Sequence, residues 1–168
     1  MNEGRVEVIK GDIANQNDVE AVVNAANAEL KIGGGVAGAL HRKAGPGLEE
    51  ESSKLAPIKP GKAVITNAYN LPNSKVIHTL GPVYGRDEPG EELLRKCYEN
   101  SIRLAKEYGI KTIAFPAIST GAFGYPFKPA VKIALEELQR NESLEIVRLV
   151  LFSEEEYEDA KKILESID

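Results

Sequence analysis

Residues 21–45 read AVVNAANAELKIGGGVAGALHRKAG, and this stretch decides the fold. Ala21, Val22 and Val23 form a short, continuous apolar run, as expected of a central strand covered on both faces. Small and apolar residues from 35 to 44 favour a helix, which residues 45–47 (GPG) end because glycine is favoured just past a helix C-terminus. The stretch therefore predicts a buried strand, an Asn-rich turn, a glycine loop and a helix.

Five further segments have the pattern of β-strands: 5–9, 62–68, 75–80, 112–117 and 145–152. Residues 5–9 alternate polar and apolar, which predicts one buried face. The turn-forming cluster 70–74 (NLPNS) separates the second and third of these segments, so we expect that pair to be antiparallel or to lie at a sheet edge.

Helical patterns fill the remaining chain. Residues 91–108 place Leu94, Cys97, Ser101 and Ala105 at three- and four-residue spacing, which predicts a helix. Another helix starts near Pro129, residues 48–55 add a turn or two, and a last helix follows residue 153. Strands that alternate with amphipathic helices predict one α/β domain spanning 1–168, a three-layer α/β/α sandwich around a mixed sheet of about six strands with parallel pairs at its centre.

Composition narrows the function. The 168 residues carry a formal net charge of -5, which argues against binding nucleic acid by neutralising many phosphates. The single cysteine, Cys97, cannot form an intramolecular disulfide, and no leader or long apolar span is evident. We expect a cytoplasmic, monomeric protein with no membrane partner.

Two glycine-rich loops, 33–38 (GGGVAG) and 119–124 (STGAFG), each follow an apolar strand and precede a helix. If those strands are parallel, both loops lie at the sheet edge where ligands bind in open α/β folds. Glycine lets backbone N–H groups approach phosphate oxygens, helped by the positive end of the following helix. The loops therefore predict an anion site made of backbone amides.

The first loop also satisfies G-x-G-x-x-G, which raises the alternative of a nicotinamide-binding Rossmann domain. That fingerprint needs its first glycine directly after a strand and an acidic residue about twenty positions later. Here the strand ends near Val23, well before Gly33, and residues 53–57 read SKLAP, with no acidic residue. The chain therefore fits the dinucleotide fingerprint poorly. A P-loop is excluded because no G-x-x-x-x-G-K-[ST] occurs.

Polar residues beside the loops supply further candidates. We assign Asn24 a structural role and Asn27 a ligand contact, since an amide holds ribose hydroxyls without adding charge beside a phosphate. Asp12 either accepts from an exocyclic amine such as that of adenine or caps the next short helix, and the residues leave both open. His41 and His78 are expected to be satisfied structural histidines, Cys97 a core residue, and no spacing predicts a metal site.

Four motifs, taken in order, resemble the macro domains, a family of ADP-ribose-binding modules: Gly11-Asp12-Ile13, residues 23–27 (VNAAN), 33–39 (GGGVAGA) and 115–124 (FPAISTGAFG). The resemblance implies that Asp12 and Ile13 bind adenine and that Phe152 stacks on it. It implies that Asn27, Gly33, Gly34, Gly35 and Val36 hold the distal ribose. It further implies that Ser119, Thr120, Gly121, Ala122 and Phe123 wrap the diphosphate, with Phe123 also near the distal ribose.

The resemblance also implies a choice of function. The chain has Ala37 where one hydrolytic branch of the family has an acidic residue, and Ile32 where some members have a histidine. We therefore expect substrate-assisted hydrolysis of ADP-ribose esters, O-acetyl-ADP-ribose or ADP-ribose 1″-phosphate, with Asn27 and Gly35 as the catalytic candidates and no cofactor. The alternative is a non-catalytic reader of ADP-ribose or ADP-ribosylated proteins.

Overall fold

A six-stranded mixed sheet forms the centre of the molecule, whose computed structural model describes residues 5–167. The strands are β1 (Arg5–Lys10), β2 (Ala21–Ala25), β3 (Ala63–Asn67), β4 (Lys75–Thr79), β5 (Thr112–Phe115) and β6 (Ile146–Leu151). They lie in the order β1-β6-β5-β2-β4-β3, and every neighbouring pair is parallel except β3 and β4. The predicted mixed sheet with parallel centre is confirmed, and the pair that follows the glycine loop is both antiparallel and at an edge.

Helices cover both faces of the sheet. They are α1 (Gly35–Ala44), α2 (Pro46–Ser52), α3 (Gly90–Glu107), α4 (Phe127–Gln139) and α5 (Glu154–Ile167), with a short 3₁₀ helix at Ser53–Leu55. Buried residues of α1 and α2 pack on one face, and those of α3, α4 and α5 pack on the other. This arrangement is the predicted three-layer sandwich.

The turn between α1 and α2 is tighter than predicted. Gly45 ends α1 with φ +89°, a conformation that favours glycine, and its N–H donates to the carbonyl of His41. Pro46 then begins α2 instead of prolonging the break, because a first-turn proline lacks only an N–H that would have no partner there. The break between the two helices, expected over residues 45–47, is therefore the single residue Gly45.

Two strands differ from their predicted form. β2 continues through Asn24 and Ala25, which pair with β4, so Asn24 lies in the sheet and not in the following turn. β1 was expected to bury one face, but Val6 and Val8 pack against one core and Ile9 against the other. Both faces of β1 are partly covered because it lies beside β6 between the two helical layers.

Helix α3 fixes the chain that leaves β5. The Tyr98 hydroxyl is completely buried, accepts the N–H of Ile118 at 3.1 Å and donates to the carbonyl of Pro116 at 3.3 Å. Burial raises the pKa of this phenol, which keeps it protonated and able to donate. The neighbouring Cys97 lies in the core as predicted, and burial raises the pKa of its thiol to about 11.

Parallel pairing brings five loop origins together. β1, β6, β5, β2 and β4 all run in one direction, so the segments that follow them leave from the same sheet edge. Between β5 and β2 the connections diverge, since β2 leads to helices on one face and β5 to α4 on the other. Ligands bind at such a switch point in open α/β sheets.

Replacing Tyr98 with Phe tests the attachment of this edge to α3. The substitution leaves the buried N–H of Ile118 without its acceptor, so we expect the free energy of unfolding to fall by about 1–3 kcal/mol. Urea denaturation measures the change, and Tyr108→Phe is the control because Tyr108 is exposed. A Tyr98→Phe protein as stable as the control would contradict the role assigned to the hydroxyl.

Candidate functional site

A cavity of about 730 Å³ opens at the sheet edge where the five parallel strands end. Its volume lies within the usual range of small-molecule sites, roughly 300–1,000 Å³. Residues from the ends of all five parallel strands, or from the segments that follow them, line the cavity: Gly11–Ile13 after β1, Ala25–Asn27 at the end of β2, Gly33–Ala37 with Ala39 in the glycine loop and α1, Gly81 after β4, Pro116–Phe123 after β5, and Val150–Phe152 with Glu156 at β6 and α5.

Every ligand residue expected from the sequence lines this one cavity. They are Asp12, Ile13, Asn27, Gly33, Gly34, Gly35, Val36, Ser119, Thr120, Gly121, Ala122, Phe123 and Phe152. Sequence reasoning missed Gly81 and Glu156. Gly81 follows β4, whose parallel pairing with β2 has no local sequence signal, and Glu156 lies in the first turn of α5.

The hydroxyl groups of the loop after β5 are bonded to backbone carbonyls. Ser119 adopts φ +70°, and its hydroxyl donates to the carbonyl of Pro82 at 2.8 Å. Thr120 donates its hydroxyl to the carbonyl of Ala117 at 2.8 Å. A side chain at Gly81 would collide with the Ser119 hydroxyl, so glycine is required there. The hydroxyls therefore hold the loop's shape and leave ligand contact to the backbone.

Backbone amides of the same loop are free to bind. The N–H groups of Gly121, Ala122 and Phe123 make no hydrogen bond to any residue between 5 and 167. Across the cavity, the N-terminus of α1 begins at Gly35 with φ +54° and presents its first-turn amides. Free amides at a helix start and in a glycine loop attract anions.

The first glycine loop is fixed from outside the cavity. Gly38 packs so closely against the carbonyl of Gly33 that a side chain at Gly38 would collide with it. The carboxylate of Glu49, on α2, accepts the N–H of Ile32 at 2.6 Å. These contacts hold the loop against α1 and α2 without using the amides that face the cavity.

The two asparagines of the VNAAN motif have different surroundings. Asn24 is completely buried outside the cavity lining, and its amide nitrogen lies 3.1 Å from Nδ1 of His78. Asn27 lines the cavity, but its amide donates to the carbonyl of Lys31 at 2.7 Å and accepts the Lys31 N–H at 3.0 Å. Asn27 therefore closes the turn before the glycines, and its ligand contact stays a prediction.

Asp12 caps a turn, since no helix follows within residues 13–20. One carboxylate oxygen accepts the N–H of Ala14 at 2.9 Å, while the Asp12 carbonyl accepts the N–H of Asn15 at 2.9 Å. The other carboxylate oxygen receives no hydrogen bond from the described part of the chain. Asp12 therefore caps a turn and not the short helix that was expected. Its second carboxylate oxygen is available to a ligand.

The histidines lie behind the site. The Asn24 amide donates to Nδ1 of His78, so we assign the proton of the neutral imidazole to Nε2. Nε2 then donates to the Thr66 hydroxyl at 3.0 Å. His41 is also buried, but neither ring nitrogen has a partner within residues 5–167, so the expectation of a satisfied histidine is wrong there. The rings are 6.4 Å apart and neither lines the cavity, so they do not form a catalytic pair in it.

The described residues form neither a metal-binding cluster nor a membrane-spanning helix. Residues 5–167 contain no group of three or more His, Cys, Asp or Glu side chains placed to hold a metal ion. Within the same range, no helix is both long enough and apolar enough to cross a membrane.

Comparisons with known proteins identify close relatives. The Macro domain family model matches residues 23–134. A macro domain-containing protein of Methanosarcina mazei is 48% identical over 99% of this chain and 91% of its own length. The O-acetyl-ADP-ribose deacetylase of Enterobacter cloacae is 46% identical over 90% of this chain and 88% of its own. A solved structure of an Oceanobacillus iheyensis macrodomain variant with ADPR has a TM-score of 0.93 and 36% identity, covering 99% of this chain and 95% of that one.

Acidification tests the buried histidine network. Burial, reinforced by the nearby His41, lowers the pKa of His78 from 6.5 to about 3, and burial also lowers the pKa of His41. Below pH 6.5 His78 becomes protonated in the unfolded chain but stays neutral in the folded protein. Stability is therefore full above pH 6.5 and decreases toward pH 3, with a slope approaching about 1.4 kcal/mol per pH unit from His78.

Denaturant melts of the wild type and of His78→Gln between pH 7.5 and 5 measure this slope. We expect a shallower pH dependence in the variant, because carboxylates titrate in both proteins and cancel in the comparison. Equal slopes would show that His78 takes up its proton as readily in the folded protein as in the unfolded chain.

Proposed function

The chain belongs to the macro domain family, and from this premise we propose that its cavity binds ADP-ribose and hydrolyses ADP-ribose derivatives. The observation that carries the proposal is the pair of free amide rows that border the cavity, one at Gly121–Phe123 and one at the start of α1. Among the described lining residues there is no lysine or arginine, so a diphosphate would be held by the backbone. The relatives named for ADPR and for O-acetyl-ADP-ribose support the same ligand.

The other lining residues divide the ligand between two ends of the cavity. At the β1–β6 end, Asp12 accepts from the adenine amine and Phe152 stacks on the ring. Phe152 is 81% exposed, and a large aromatic ring left in solvent at a cavity mouth gains most from covering by another flat ring. At the β2 end, Asn27 and Gly33–Val36 hold the distal ribose.

We place hydrolysis at the β2 end. A water between the bound diphosphate and the distal ribose attacks C1″ of an ester-linked substrate, passing its proton to a diphosphate oxygen. The new bond joins the water oxygen to C1″, the bond from C1″ to the ester oxygen breaks, and the side-chain carboxylate leaves. Asn27 and Gly35 position the sugar, and positioning supplies much of the acceleration for a labile ester.

A second candidate function is a reader that binds ADP-ribosylated proteins without turnover. One observation favours it: the titratable side chains among the described lining residues are Asp12 and Glu156, and both lie at the β1–β6 end. Ala37, buried in the cavity wall, offers no acid or base beside the distal ribose. If the protein is an enzyme, its proposed substrate class includes ADP-ribose esterified to Asp or Glu side chains. ADP-ribosylated proteins are the proposed partners of both the enzyme and the reader.

Calorimetry tests the ligand. Wild-type protein is expected to bind ADP-ribose at least about tenfold more tightly than AMP, because AMP lacks the second phosphate and the distal ribose; tenfold corresponds to about 1.4 kcal/mol. Phe152→Ala should weaken both ligands by a similar factor, since both carry adenine. Equal affinities of the wild type for ADP-ribose and AMP would rule out the distal-ribose role of Asn27 and Gly33–Val36.

Turnover separates the enzyme from the reader. The wild type should release ADP-ribose from a protein that is ADP-ribosylated on glutamate. With Asn27→Ala the rate of release should be about 10- to 100-fold lower, because the variant loses the side chain that positions the sugar. The same variant loses the two hydrogen bonds between Asn27 and the Lys31 backbone. O-acetyl-ADP-ribose and ADP-ribose 1″-phosphate are tested in parallel. Release by the wild type no faster than by the variant, with binding intact, would leave the reader as the function.

A further inference from the structure

A charged side chain in the sheet has no part in the proposed chemistry. Arg148, in the middle of β6, is 6% exposed, and its guanidinium pairs with both carboxylate oxygens of Asp18 at 2.7 and 2.8 Å. It also donates to Glu7 at 2.9 Å and to the side-chain carbonyl of Gln16 at 3.0 Å. A buried charge is costly unless it is fully paired, so this network has to keep its geometry.

The position of Arg148 explains what the network holds. Arg148 shares a sheet face with Val150, which packs in the core of α1 and α2. Over this part of the sheet the cover is the segment that follows β1, through Ile13, Ala14 and Val19. Arg148 therefore anchors to the sheet the segment that begins with Asp12.

Gln16 connects the guanidinium to that segment. Its side-chain carbonyl accepts from Arg148, and its amide donates to the backbone carbonyl of Asp12 at 2.9 Å. Gln16 is 5% exposed, and its backbone carbonyl accepts a hydrogen bond from the buried side-chain amide of Asn73 at 2.7 Å. Both ends of the Gln16 side chain are thus used, and its orientation is set by Arg148.

We propose that Gln16, oriented by Arg148, is the positioning residue that gives the site its selectivity for a 6-amino purine. The inference rests on the proposed function, in which Asp12 accepts from the adenine amine. A carboxylate held in place faces the 6-oxo group of hypoxanthine with like polarity. A carboxylate free to move can reach the N1–H of hypoxanthine instead, so discrimination depends on the rigidity that Gln16 supplies.

The test compares ADP-ribose with inosine diphosphate ribose, the same molecule with hypoxanthine in place of adenine, by calorimetry. Wild type should prefer ADP-ribose by about tenfold or more. Gln16→Met, which removes both side-chain hydrogen bonds, and Gln16→Glu, which keeps an acceptor for Arg148 but loses the donor to Asp12, should lower the ratio to about threefold or less. Asn15→Ala is the matched control: it changes the same segment, but the Asn15 side chain accepts from Lys43 at 3.2 Å and takes no part in the hydrogen bonds that join Arg148, Gln16 and Asp12, so its ratio should stay at the wild-type value.

Each outcome bears on the inference separately from the function. A wild-type ratio in a folded Gln16 variant would overturn the role of Gln16 and leave ADP-ribose binding standing. Equal wild-type affinity for the two bases would remove the role of Asp12, and the inference with it, while failure to bind either ligand would sink the proposed function itself. Thermal melts check folding, and if Gln16→Met is unstable, Gln16→Glu carries the test.

Discussion

Parallel pairing of five strands is the constraint on which the rest of the structure depends. Because β1, β6, β5, β2 and β4 run in one direction, five loops that are distant in sequence leave from one edge. The antiparallel β3 closes the sheet and contributes no residue to the cavity. Helices on both faces follow from this arrangement, since parallel strands are buried on both sides.

The division of polar groups within those loops explains how an acidic protein can hold an anion. The Ser119 hydroxyl donates to the carbonyl of Pro82 in the neighbouring loop, and the Asn27 amide donates to the carbonyl of Lys31 in its own loop. Backbone N–H groups at Gly121–Phe123 are left over, and the start of α1 adds its own. A site made of backbone dipoles is compatible with the net charge of -5, because the positive potential is local.

Local patterns predicted most of the architecture and the two glycine loops, because apolar runs, glycines and helix ends are local signals. They could not show contacts between distant residues. Arg148 and Gln16 are 132 positions apart, and only the packing of the segment after β1 onto β6 joins them. Gly81 was missed for a similar reason, since its place at the edge depends on β4 lying parallel to β2. The turn between Asn27 and Lys31 is local, but its amide contacts need coordinates to be seen.

The central claim is that backbone amides hold the diphosphate, and a ¹⁵N-resolved NMR titration tests it most directly. Saturating ADP-ribose or ADP should move the amide protons of Gly121, Ala122 and Phe123 downfield as they form charge-assisted hydrogen bonds, whereas adenosine should leave them in place. Unchanged amides at these three positions with ADP-ribose bound, or equal shifts with adenosine, would contradict the account.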